Sequence, residues 1–148
     1  KVFDLIGYAI TSSSPNEAKP NQFFLSKDKV VINRDRQLTT AIELLNNIES
    51  SYIKPSEPTF RLGGSSVKDK MFEKLEKLYS EKKIMDHSLE VGKQIAFVLS
   101  GGDTNMNSDL TEDDLYNLEL EAFMRLIQMS KTQERIKHTL ETGKPLVN

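Results

Sequence analysis

From Val67 to Leu140 apolar residues return every three or four positions, and that spacing commits most of this half of the chain to α-helix. Val67, Met71, Leu75 and Leu78 form a first stripe, widened by Phe72 and Tyr79. A charged turn, Ser80-Glu81-Lys82-Lys83, leads to Asp86, whose short carboxylate suits an N-cap. The next stripe, Leu89, Ile95, Ala96 and Leu99, stops at Gly101-Gly102. Gly92 inside it costs about 1 kcal/mol relative to Ala, so its presence points to a close helix crossing. Thr111-Glu112-Asp113-Asp114 reads as a capping box, and its acidic turn complements the positive end of a helix dipole. Behind it Leu115, Leu118, Ala122 and Leu126 lie on one line, with Tyr116, Leu120, Phe123 and Ile127 beside them. So wide a face predicts the most buried helix of the chain. Ser130 is expected to cap a last helix bearing Ile136 and Leu140, closed by Gly143 in a left-handed conformation and Pro145.

The first third is less regular. Val2, Leu5, Ile6 and Ala9 suit a short amphipathic helix, and Ser14-Pro15 a second helix that Pro20 should stop after about one turn. Lys29 to Asn33 is β-branched and reads as a brief strand or extended link. From about Asp35 the series Leu38, Ala41 or Ile42, Leu45, Ile48 marks a helix ending near Ser50-Ser51. Lys54 to Ser66 carries Pro55, Pro58 and Gly63-Gly64 and reads as a connector. The expected organisation is therefore residues 1–53, a linker at 54–66, and a helical domain at 67–148. The expected fold is mostly α, with about five helices and at most one short strand pair. The last three helices should form an antiparallel cluster around Leu99, Leu118, Phe123 and Ile127.

Composition narrows function mainly by exclusion. A formal net charge of -2 over 148 residues gives no electrostatic footprint for nucleic acid. With no cysteine, thiol nucleophiles, disulfides and Cys-ligated metals drop out, which suits a reducing cytoplasm. No apolar run approaches the roughly 20 residues that span a bilayer, and no signal peptide is expected. The chain starts at Lys1 and so reads as a piece of something longer.

Few residues invite chemistry. Gly143-Lys144 lies behind a helix, where carbonyls face outward, whereas a phosphate cradle needs glycines ahead of one. His87 and His138 belong to no metal-spaced pair, and His138 suits the capping of a helix end. Ser100 to Asn105 reads as a C-cap and loop in preference to an anion nest. Asp109 to Asp114 lacks the alternating ligands and central glycine of a calcium loop. Arg34 and Arg36 suit surface salt bridges, with contact to a phosphate-bearing ligand as the alternative. No catalytic, cofactor-binding or metal-binding residue is therefore assigned.

Two stretches carry a resemblance. "GKQIAFVLSGGDTNM" and "LYNLELEAFMRLIQMSKTQERIKHTLETGKPLVN" are similar to the extreme C-terminus of bacterial 3-hydroxyacyl-CoA dehydrogenases of the multifunctional kind, in which a crotonase-type (enoyl-CoA hydratase) region follows the dehydrogenase. "FDLIGYAITSSSPNEAKPNQFFLSKDKVVINRDRQLTTAIELLNNI" resembles the tail of the crotonase region, except at Pro20 and Phe23-Phe24. The resemblance implies a fatty-acid β-oxidation protein whose parent uses NAD. It also implies that the nicotinamide-binding turn, the catalytic His-Glu pair and the crotonase groups lie upstream, with no counterpart here. The expectation is a helical C-terminal segment, inactive alone, that packs against or assembles upstream dehydrogenase and crotonase domains or an equivalent subunit. The alternative is a stand-alone helical interaction module, or one that binds acyl-CoA through Arg34 and Arg36.

Overall fold

The computed structural model describes residues 1–105 and 108–148; Met106, which ends the first of the two similar stretches, lies outside them. The fold is mostly α, with seven α-helices and one two-stranded sheet among the described residues. The chain divides into two compact units, one of Lys1–Tyr8 with Glu57–Asn148 and the other of Ala9–Ser56.

In the larger unit α1 (Val2–Gly7), α4 (Gly64–Ser80) and α6 (Glu112–Ile127) all pack on α5 (Asp86–Ser100), and α7 (Ser130–Thr142) packs on α6. That makes α5 the centre. It buries His87, Leu89, Gly92, Ala96, Phe97 and Ser100, whereas α6 buries Ala122 alone. The expectation that α6 is the most buried helix is therefore corrected, as is the core expected within the cluster of the last three helices. Leu99, Leu118 and Ile127 are half-buried and Phe123 is exposed. The reason is geometric: the stripe is wide enough for two neighbours along its length, and α7 meets α6 much less extensively than α5 does.

Local chemistry explains several helix boundaries and one crossing. At the α4–α5 crossing a Cβ on Gly92 would lie 2.6 Å from Leu75 Cδ2, so the glycine admits the close approach. Gly101 (φ 87°) ends α5 in the left-handed region, and Gly102 N–H donates to the Phe97 carbonyl at 2.8 Å. Thr111 and Asp114 form the reciprocal capping box of α6. Gly143 (φ 68°) closes α7, donating to the Thr139 carbonyl at 2.8 Å.

Two caps fall elsewhere than the sequence suggests. Asp86 and Ser130 are the first residues of their helices, behind Met85 and Met129 in extended conformation. The Asp86 carboxylate instead accepts from Tyr79 Oη at 2.9 Å and lies 3.9 Å from Lys131 Nζ, tying the end of α4 to the start of α7.

The strand pair is β1 (Thr59–Arg61) with β2 (Asp109–Thr111), antiparallel, in the register Thr59 to Thr111, Phe60 to Leu110 and Arg61 to Asp109. Leu110 is buried, and Arg61 Nε meets Asp109 Oδ1 at 2.5 Å. The stretch expected as a connector, residues 54–66, thus contains β1 and the first turn of α4.

The smaller unit holds α2 (Pro15–Asn21) and α3 (Gln37–Ile48), flanked by single 3-10 turns at Arg34–Arg36 and Glu49–Ser51. Ser14 caps α2, and Glu17 reaches back to Ser13 N–H at 2.9 Å. Pro20 does not stop this helix. It sits in the last turn, where one further residue, Asn21, precedes a left-handed Gln22. Residues 29–33 pair with no strand among the described residues.

Candidate functional site

The polar residues that the sequence singles out are dispersed. His87 is buried near the start of α5, with Nε2 2.8 Å from Thr132 Oγ1 on α7. Burial first, then the cations Arg135 and Lys131, holds its pKa below the usual histidine value, while Glu90 and Glu134 partly offset them. A neutral imidazole with one nitrogen taken by a hydroxyl braces α5 to α7. His138 is half-buried in α7, where its carbonyl accepts from Thr142 Oγ1 at 2.8 Å. Arg34 and Arg36 occupy an exposed turn; neither has an ion-pair partner among the described residues, contrary to the surface salt bridges expected of them. Thr104 Oγ1 folds back onto the Gly101 carbonyl at 2.7 Å, which makes the loop after α5 a cap. Among the described residues no three His, Asp or Glu side chains stand close enough together to hold a metal ion.

A network that sequence spacing does not reveal joins α7 to its surroundings. Arg135 donates through Nε to Asn148 Oδ1 at 2.8 Å and through its guanidinium to Ser88 Oγ at 3.1 Å. Asn148 Nδ2 donates to Glu134 at 2.9 Å and to the Lys131 carbonyl at 3.2 Å. Gln133 Nε2 donates to the Ile127 carbonyl at 2.9 Å. Thr132, Gln133, Arg135 and Asn148 all belong to the similar stretches quoted above, and in the fold their side chains join α7 to α5, to the end of α6 and to the last residue.

Among its charged surface residues the larger unit also presents apolar side chains to solvent. A groove of about 340 Å³ runs between α1, α5 and α6, walled by Ile6, Ile95, Val98, Leu99, Phe123 and Leu126. Gln94 also lines it, and its buried Oε1 receives no hydrogen bond. In the smaller unit the stripe of α3, from Leu38 through Ile42 and Leu45 to Ile48, is exposed along its length. The accessible surface totals 11408 Å². Two separate compact bodies of these sizes would expose only about 9,000 Å². Both units therefore carry uncovered apolar faces.

One known protein gives that description a context. Along its whole length the chain is 28% identical, over 149 residues, to a probable 3-hydroxyacyl-CoA dehydrogenase of Bacillus subtilis (strain 168). The match takes in 19% of that protein, so the chain spans about a fifth of the relative's length. No family model matches the chain. No solved structure matches it. No helix among the described residues is long and apolar enough to cross a membrane.

Proposed function

We propose that this chain is the helical C-terminal segment of a 3-hydroxyacyl-CoA dehydrogenase-like protein of fatty-acid β-oxidation, acting in the cytoplasm. Its residues 1–53 correspond to the tail of a crotonase-like region and 67–148 to a C-terminal helical domain. It packs against or assembles the catalytic domains and carries neither their reactive groups nor their NAD site. The carrying observation is the full-length similarity to only a fifth of a probable dehydrogenase. The uncovered stripe of α3 and the groove between α1, α5 and α6 support it, because burying such surface yields about 25 cal/mol per Å².

The test is NAD-dependent oxidation of a 3-hydroxyacyl-CoA by the purified 148-residue chain. The expected rate equals the protein-free blank. Turnover above blank that a single substitution abolishes refutes the reading. Calorimetry with acyl-CoA separates the alternative of a binding module, for which heat lost on replacing Arg34 and Arg36 is the required signal.

A further inference from the structure

The side of α6 turned away from α5 carries a second surface, which shares Phe123 with the rim of the groove. Tyr116, Leu120, Phe123 and Ile127 recur at spacings of four, three and four, the rhythm of a seam between two packed helices. Tyr116 is 59% exposed, Leu120 58%, and Phe123 and its neighbour Met124 each 48%. The opposite line, Leu118, Ala122 and Leu126, faces α5, so the helix is apolar on two sides. Ile127 extends the seam into a shallow depression shared with Ile136 and Leu140 of α7. Glu121 and Arg125 pair with each other on the flank, Arg125 stacks over Phe97 at 5.1 Å, and Lys137 and Glu141 edge the depression.

We infer that this face binds a second copy of the same chain, α6 against α6 in antiparallel orientation. In that arrangement the spacing is self-complementary. Tyr116 of each copy meets Ile127 of the other, and Leu120 meets Phe123, giving four layers about one two-fold axis. Size agrees as well. At roughly 200 Å² per fully exposed large side chain, the four exposed α6 residues present about 400 Å² of surface, and Ile136 with Leu140 raise it to about 600 Å². A standard interface takes about 800 Å² from each partner, a little over half of it apolar. The inference concerns this chain's own surface and stands apart from the enzymatic reading.

The absence of cysteine makes the test clean. Sedimentation equilibrium of the chain is expected to show a dimer with a dissociation constant on the order of 10 µM or tighter. Leu120→Glu is expected to be monomeric with unchanged helix content by circular dichroism. Leu120→Cys, which keeps the size small and the fold intact, is expected to give a covalent dimer rapidly with a short bis-maleimide, whereas Lys70→Cys on α4 gives none. A wild-type chain that stays monomeric at about 100 µM overturns the inference. So does a dimer in which the cysteines at 120 and 70 cross-link equally fast.

Discussion

Removing Leu75 should reverse the effect of adding a methyl group at Gly92. In the native chain Gly92→Ala has two opposed consequences. The helix gains about 1 kcal/mol of propensity from replacing a mid-helix glycine. The new Cβ, however, lies 2.6 Å from Leu75 Cδ2 and 3.1 Å from Cδ1, inside van der Waals contact with a buried side chain. Overpacking of this kind costs about 1–3 kcal/mol, so the net result is a loss of up to about 2 kcal/mol. Leu75→Ala alone removes three buried carbons beside a cavity of about 120 Å³ that Leu75 and Gly92 both line. Its expected cost is about 2–5 kcal/mol. In that background the clash is gone, so Gly92→Ala should restore about 1 kcal/mol. The coupling across the cycle is then about 1–3 kcal/mol. Guanidinium unfolding of the four proteins, followed by circular dichroism at pH 7, reads it directly. If Gly92→Ala stabilises both backgrounds equally, Leu75 does not constrain this crossing and the account of Gly92 fails.

Three further outcomes can be checked. His87 has a folded-state pKa below its unfolded one, so the stability it confers is complete above the ordinary histidine pKa near 6.5. That stability is lost as pH falls through the folded pKa. The melting temperature of the native chain should therefore fall more between pH 7.5 and about 5 than that of His87→Gln, and parallel falls refute this. Thr111→Ala breaks the α6 capping box and should cost about 1 kcal/mol in the same unfolding assay, while Thr59→Ala, opposite it on the strand pair, should cost less. Arg135→Met leaves Ser88 and Asn148 without their shared donor and should cost about 1–3 kcal/mol, with faster hydrogen exchange along α7.

The helices from α3 to α7 are legible in the sequence because each carries its own period and its own punctuation. Gly101, Gly143 and the Thr111–Asp114 box act within a few residues of where they stand. The strand pair is not legible. Thr59 to Arg61 sits between prolines and glycines, and its partner lies 48 residues away, beyond two helices. The role of Asp86 is not legible for a related reason, since Tyr79 and Lys131, which claim its carboxylate, come from other helices. The breadth of the α6 stripe was visible, but periodicity records how much of a helix wants cover and not which molecule provides it. The brace between His87 and Thr132 and the network around Arg135 depend on α5 and α7 meeting, which no local pattern encodes.

The β1–β2 ribbon has a mechanical consequence. Thr59 and Thr111 form the rung at its open end, and α4 and α5 hang between Arg61 and Asp109 at the other. Tension applied across residues 57 and 112 would load the rungs one after another, beginning at Thr59–Thr111, instead of shearing them together. Such a clasp yields at low force and in small steps, so a pull from either flank releases the α4–α5 hairpin before either helix unwinds.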